Sequence, residues 1–311
     1  MRILIVMDPI EGVDLDKDTT VGFILAAQAR GHSVHSCGVD GLFVKDGQGG
    51  AHARSVTLDP NATPFYTTGP VTTEALSDFD TVWMRSDPPV DRAYLHATHV
   101  LDLAGDTLVV NSPRGIRFAN EKLFAQVFPE LCPETLVTRN IAQIKDWLAT
   151  RTDPLVVKPV DGHGGAGVFV ISPGDRNLGS ILETLTEEGT RWVVAQAYLP
   201  AAREGDKRII MIDGEPKGAI LRVPRDDDHR GNIHVGGTVQ HVELTERDLE
   251  ICASVGPELR KEGLWFVGLD VIGGYLTEVN VTSPTGIREV KDLTGVDLGD
   301  AFVAWVEDRL G

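Results

Sequence analysis

A glycine cluster, "DGHGGAG" (161–167), limits the architecture of this chain more than any other feature, because it is set between two β-branched runs, "LVVKPV" (155–160) and "VFVI" (168–171). Gly162, Gly164 and Gly167 spell the G-x-G-x-x-G of a dinucleotide fold. That fold needs strand, tight turn and then helix, since the pyrophosphate rests on the helix N-terminus. Here the residues after the glycines favour a strand. The acidic position expected about 20 residues on falls near Glu183, inside a predicted helix. No G-K-[ST] follows either, which removes the phosphate loop of NTPases. What remains is a hairpin loop between antiparallel strands, whose glycines let backbone N–H groups approach phosphate oxygens with no Cβ in the way. A plain solvent loop is the alternative. Lys158 weighs against it, because a lysine in an apolar strand needs a partner, and a nucleotide phosphate would be one.

Upstream, strands alternate with helices. "RILIVM" (2–7), "SVHSCGV" (33–39), "DTVWMR" (80–85) and "TLVVN" (107–111) read as strands; "TTVGFILAAQARG" (19–31) reads as a capped amphipathic helix and "RAYLHATHVLDLAG" (92–105) as a second helix. This predicts an α/β N-terminal domain over 1–120 with a parallel sheet built from βαβ units. The stretch 45–65, rich in Gly, Asp, Asn and Pro, reads as a loop excursion. A helix at 120–128 opens a central part, 121–200, which holds the glycine hairpin, a helix at 178–189 and a strand at 191–199. The last part, 201–311, carries hairpin signals at Asp213-Gly214 and Gly273-Gly274 and a closing amphipathic helix at 299–310.

A second constellation lies in "GLDVIGGYLTEVNVTSPTG" (268–286). Glu278 and Asn280 are two apart on a strand and share a face. Mg²⁺ takes one or two carboxylates and completes its shell with phosphate and water, a role this pair fits. Asp270 is the natural third ligand, but a regular two-residue turn at Gly273-Gly274 would pair Leu269 with Glu278 and turn Asp270 to the opposite face. Metal binding by Asp270 therefore requires a bulge or an odd-length loop. Between the two constellations runs a cationic band. Asp206, Lys207 and Arg208 stand at a strand start, Arg222 sits within an apolar strand, and Arg225 and Arg230 fall in a long loop, 224–238, that reads as a lid. Asp226 to Asp228 account for Arg225 as a surface ion pair, and His163, His229 and His234 have no ligand spacing.

A formal net charge of −17 opposes nucleic acid and anionic membranes as partners. No stretch approaches ~18 consecutive apolar residues, and "MRILIVMDPI" lacks a cleavage site, so a cytoplasmic location is expected. Cys37, Cys132 and Cys252 have no metal or redox spacing and read as packed, reduced thiols.

From end to end the chain resembles the ATP-grasp superfamily and, within it, the bacterial glutathione synthetases. The likeness rests on "MDPI" (7–10), "MRSDPP" (84–89), "NEKLF" (120–124), "PETLVT" (133–138), "KPVDGHGGAGVF" (158–169), "GDKR" (205–208), "RGN" (230–232), "GLDVIG" (268–273) and "EVNVTSPTGIRE" (278–289), in that order. It implies an ATP-grasp fold with ATP held between two subdomains. Lys122 and Lys158 would hold phosphates, with Gly162, Gly164, Gly165 and Gly167 closing over them. Gln196, Tyr198 and Leu199 would face adenine and Asp206 the ribose. Arg208 and Arg222 would face the reacting phosphoryl group and Arg230 would shield it. Asp270, Glu278 and Asn280 would carry two Mg²⁺ ions, or Mn²⁺, while Arg85, Ser283, Pro284, Thr285 and Arg288 would bind the peptide substrate. The implied reaction is ligation of γ-glutamylcysteine to glycine through an acyl phosphate, in a homo-oligomer. The chain departs from the family pattern at Ser86, where a lysine is usual, and at Thr238, where an arginine is common. A ligase for another γ-glutamyl or amine acceptor is the alternative, and a nucleotide sensor without catalysis is a third reading.

Overall fold

The computed structural model describes residues 1–224 and 237–311. Arg225, Asp226 to Asp228, His229, Arg230 and His234, with most of the expected lid, lie outside the described residues.

The first sheet has eight strands: β1 (Arg2–Val6), β2 (Ser33–Cys37), β3 (Leu42–Lys45), β4 (Gln48–Leu58), β5 (Tyr66–Thr68), β6 (Thr72–Ala75), β7 (Thr81–Met84) and β8 (Leu108–Val110). Its path is β3-β4-β2-β1-β7-β8, with β5 and β6 both on β4. The β2–β1–β7–β8 segment is parallel, as the βαβ rhythm predicts. The stretch 45–65 is corrected: it is no loop but mostly the 11-residue strand β4, which turns back from β3 through Asp46-Gly47. Both turn residues have positive φ, 51° and 79°, the primed turn that matches strand twist. The glycines that suggested a loop are there for close packing, since a Cβ on Gly50 would meet the Phe43 ring at 2.3 Å.

Helix α1 (Thr19–Ala29) is capped by the Asp18 side chain, which accepts from the Val21 N–H. It is buried on nearly every side rather than amphipathic. The helix α2 (Arg92–Leu101) follows β7, and α3 (Pro113–Phe118) follows β8. The helix expected at 120–128 is corrected to a 3-10 turn, Phe124–Val127. Asn120 captures the N–H groups of Lys122 and Leu123 with its side chain, and Pro129 closes the run, so no regular helix can extend.

The second sheet comprises β9 (Thr135–Thr138), β10 (Leu155–Pro159), β11 (Phe169–Ile171) and β12 (Val193–Ala197), in the order β11-β10-β12-β9 and antiparallel throughout. Its helices α4 (Ile141–Ala149) and α5 (Leu178–Leu185) bury Ile144, Leu148, Leu182 and Leu185 against one face. The third sheet has β13 (Asp206–Ile212), β14 (Glu215–Val223), β15 (Thr238–His241), β16 (Phe266–Ile272) and β17 (Tyr275–Asn280), ordered β15-β14-β13-β16-β17. Helix α6 (Glu246–Lys261) lies behind it. The chain ends in α7 (Ile287–Thr294) and α8 (Leu298–Leu310), which cover the outer side of α1. Phe23, Trp83, Phe266 and Phe302 form one aromatic cluster with centroids 4.5–5.9 Å apart, so first and last thirds share a core.

Asn111 joins the two thirds. Its amide nitrogen donates to the carbonyls of Phe266 (2.8 Å) and Val281 (2.7 Å), and its oxygen accepts from the N–H groups of Trp265 (2.7 Å) and Phe266 (2.9 Å). Asn111→Ala would orphan these buried groups together and is expected to cost about 3 kcal/mol or more. Urea unfolding checks it, and a loss below about 1 kcal/mol would count against the clamp.

Candidate active site

The glycine loop leaves β10 and enters β11 with Val157 opposite Phe169, and no helix springs from Gly167. Gly164, Gly165 and Gly167 have φ of 63°, 77° and 72°, so side chains there would be strained. Lys158 shares the outward face of the second sheet with Val156, Val194 and Gln196, while Leu155, Val157, Val193 and Ala195 face the helices. Gln196 donates to Thr135 Oγ1 at 3.0 Å, and the Tyr198 N–H is taken by Pro154.

The third sheet presents Asp206, Arg208, Arg222, Asp270, Glu278 and Asn280 on one face, in register across four strands. The bulge that the metal reading required is present. Ile272 pairs with Tyr275 and Val271 with Leu276, but Asp270 pairs with Glu278, so Thr277 is the extra residue. Its hydroxyl donates to the Asp270 carbonyl at 3.1 Å. Lys207 points to the other face and pairs with Asp248.

Charge compensation ties the two sheets together. Lys158 Nζ lies 2.9 Å from Glu278 Oε1, and Lys122 Nζ 3.6 Å. The Lys122 ammonium also donates to the Gly162 carbonyl, at the base of the glycine loop. Arg208 grips Asp270 with two nitrogens, Nη2 at 2.9 Å, and Arg222 Nη2 bridges Asp270 (3.0 Å) and Asp206 (2.5 Å). Burial alone would raise Asp270, but Arg208 and Arg222 outweigh it and hold its carboxyl well below the usual range. Glu278 is likewise lowered, with Lys158 and Lys122 overcoming burial. Burial pushes Asp206 up to about 7, against the pull of Arg222.

The donor set fits a hard divalent cation. Asn280 Nδ2 donates to Gly268 O (3.2 Å) and Asp270 Oδ2 (3.1 Å), which leaves its oxygen to ligate beside two carboxylates. Among the described residues no group of three or more His, Cys, Asp and Glu could hold a metal; a Mg²⁺ ion held by this pair of carboxylates and the amide oxygen would complete its shell with phosphate and water.

The peptide-side residues are held in a chain of contacts. Asn111 takes the Val281 carbonyl, Glu121 accepts from Thr282 Oγ1 (2.8 Å), and Ser283 Oγ donates to Arg85 O (3.2 Å). Arg85 Nη2 in turn donates to Pro284 O, and Arg208 Nη1 to Thr285 O, both at 3.2 Å. Arg288 donates to the carbonyls of Leu15 and Asp16, away from the ion pairs. The Arg85 guanidinium itself is buried over the rings of Phe23 and Phe266, at 5.3 and 5.7 Å. The sequence alone assigns no role to Glu121, Asn111 or Thr282. The only signal was that Glu121 and Thr282 stand inside the quoted motifs. The three cysteines are free and buried, with burial pushing Cys37 and Cys252 up to about 12 and Cys132 up to about 11.

A model of the prokaryotic glutathione synthetase ATP-grasp domain matches residues 121–295, and one of the N-terminal domain matches residues 1–117. The chain belongs to the prokaryotic glutathione synthetase family. Glutathione synthetase of Gloeobacter violaceus is 50% identical over 313 residues, spanning 98% of this chain and 96% of that one. The Escherichia coli glutathione synthetase is 43% identical, spanning 100% and 99%. A solved D-cycloserine synthetase superposes with a TM-score of 0.70 at 16% identity, over 99% of this chain and 100% of that one, a likeness of fold. As a member of the glutathione synthetase family the chain is an ATP-grasp ligase that works with ATP and a divalent metal.

Arg208→Leu leaves Asp270 buried with one cation fewer and is expected to destabilise by about 3–5 kcal/mol near neutrality. The folded pKa of Asp270 is depressed, so the stability it contributes is present above the unfolded value of about 3.9 and lost as pH falls. The deficit of the variant should therefore shrink in acid. Urea unfolding between neutral pH and pH ~3 measures it, and a deficit that does not depend on pH would contradict the assignment.

Proposed function

We infer that this chain catalyses the ATP-dependent ligation of γ-glutamylcysteine to glycine through an acyl phosphate, forming glutathione. The observation that carries the reading is the pair of compensated clusters side by side on one face of the third sheet, Arg208 with Arg222 on Asp270 and, reaching across from the second sheet and the turn before it, Lys158 and Lys122 on Glu278.

In this reading Lys122, Lys158 and the glycine-loop N–H groups bind the phosphates. Tyr198 O and Leu199 N–H meet adenine, and Gln196 fixes that strand end. Asp206 has a buried Oδ1 without a partner among the described residues, suited to a ribose hydroxyl. Arg222 Nε is also unpartnered there, and with Arg208 it would neutralise charge at the transferring phosphoryl group. Asp270, Glu278 and Asn280 would hold two Mg²⁺ ions, with Mn²⁺ as a substitute; when bound, the metal supplies charge neutralisation at the phosphate oxygens. Ser283 to Thr285 and Arg288 would line the peptide side, with Arg85 as their support.

In the first step a carboxylate oxygen of γ-glutamylcysteine bonds to the γ-phosphorus and ADP leaves. In the second the amine nitrogen bonds to the acyl carbon and the C–O bond to phosphate breaks. The nitrogen loses two protons, one to the departing phosphate and one to solvent. The mixed anhydride is already activated, so positioning, charge neutralisation and exclusion of water suffice. No Ser-His or Cys-His pair is needed.

We further propose a three-part organisation at 1–120, 121–200 and 201–311, a cytoplasmic location and a homo-oligomer. Among the described residues no helix is long and apolar enough to cross a membrane. Sedimentation equilibrium should give a mass above the 33.7 kDa monomer, and a monomer at micromolar concentration would remove that part. Ser86, buried where the family has a lysine, keeps a different acceptor as a second reading.

Phosphate release from ATP should require both γ-glutamylcysteine and glycine. Turnover with another amine alone would favour the second reading. Lys158→Ala and Glu278→Ala should each lower kcat by about 10² or more. Near-normal rates in both would remove these residues from the mechanism.

A further inference from the structure

Glu121 is an acid at the crevice that the ligation chemistry above leaves unused. Its backbone carbonyl accepts the Val279 N–H at 2.9 Å, which seats it against the strand that carries Glu278 and Asn280. Its Oε1 accepts from Thr282 Oγ1 at 2.8 Å. Among the described residues, no Lys, Arg or His nitrogen lies within 4.0 Å of its carboxylate, in contrast to Asp206, Asp270 and Glu278. Two kinds of neighbour flank it. Glu278, Lys122 and Arg208, from the phosphate-handling cluster, act on its charge. Tyr94 of α2, 3% exposed, has a hydroxyl without a partner among the described residues, and of the charges that act on it Glu121 is the strongest.

This places a carboxylate with no cation partner among the described residues against the end of β17, between Val279 and Thr282. An activated acyl group would lie there when its nucleophile arrives. Asp206, Asp270 and Glu278 each have a cation supplied by the protein, whereas Glu121 has the Thr282 hydroxyl to orient it. A buried carboxylate without a cation is costly unless something charged completes it.

We propose that Glu121 binds the ammonium group of the incoming amino acid, with Thr282 fixing the carboxylate and Tyr94 offering a second polar contact. The inference rests on the ligase reading above and deepens it, by naming the subsite for the primary ammonium. Burial, with the Glu278 charge beside it, raises the Glu121 carboxyl. An arriving ammonium opposes both effects, so the site is improved by the charge it selects.

Glu121→Gln tests it, because the amide keeps an oxygen for Thr282 and loses the charge. In steady-state kinetics on the full chain, KM for glycine should rise about 10-fold or more, with KM for ATP and γ-glutamylcysteine within about 2-fold of the parent. Hydroxylamine, an uncharged nucleophile at neutral pH, should still trap the acyl phosphate as the hydroxamate at the parent rate. An unchanged KM for glycine overturns the proposal. So do equal losses with glycine and hydroxylamine, which would place Glu121 in acyl-phosphate formation instead. If the glutamine variant does not fold, Glu121→Asp keeps the charge at shorter reach. A few-fold rise in KM for glycine alone is then expected, and no rise overturns the proposal. Failure of the parent chain to make product from γ-glutamylcysteine and glycine would instead sink the ligase reading, so the two failures are separable.

Discussion

A buried carboxylate has to be compensated, and the way this chain meets that demand organises the rest of the molecule. Asp270 is held by Arg208 and Arg222 within its own sheet, but Glu278 takes its cations from elsewhere, Lys158 on the second sheet and Lys122 on the turn before it. The crevice is therefore crossed by ion pairs whose partners sit on different layers. Removing one partner of such a pair costs several kcal/mol, whereas exchanging both at once need not. A triphosphate offers the lysines new oxygens, and a divalent cation offers the carboxylates a new counter-charge. If both bind here as proposed, either alone would leave charge stranded, and their arrival would be physically coupled.

That exchange needs Glu278 and Asp270 on one face, and a single inserted residue provides it. The pleat alternates strictly, so without Thr277 as the extra residue Asp270 would face the core behind the sheet. The strand's far end is fixed as firmly. Successive residues from Val281 to Gly286 are held by Asn111, Glu121, Arg85, Arg208 and Thr19, which come from the first sheet, the α1 cap region, the linking turn and β13. A shift of the N-terminal layer would be transmitted through these bonds to residues 281–286, and from there to Asn280 one residue upstream.

Much of this was legible in the sequence, for reasons that can be named. The glycine hairpin could be separated from a dinucleotide fold because β-branched residues follow it, and the need for a bulge followed from parity alone. What misled was composition taken without partners. Gly49 and Gly50 looked like loop residues, but they are packed against Leu76 and Phe43 inside a long strand. The run 120–128 has a helical pattern of apolar residues, yet Asn120 competes for its first N–H groups. The buried α1 looked amphipathic because the helices that cover its outer face, α7 and α8, lie more than 250 residues downstream. Local sequence cannot report a partner that far away.

Arg85 shows the same limit at the level of one side chain. A lone arginine at the end of a parallel strand is where a substrate carboxylate would be sought. Here it has no carboxylate partner among the described residues; instead, two aromatic faces, the Thr20 hydroxyl and the Pro284 carbonyl surround it, and burial lowers its pKa. Cation–π contact with a desolvated ring is worth about 2 kcal/mol, and two rings with two oxygens offset much of the cost of burial. Its remaining amino group, Nη1, is buried without a partner among the described residues, in the lining of a cavity of about 10 Å³ that Asn111 and Thr282 also line. A space of that size matches a single water and no substrate group. What the guanidinium and the Arg85 carbonyl do hold is the 283–284 segment, through Pro284 O and Ser283 Oγ.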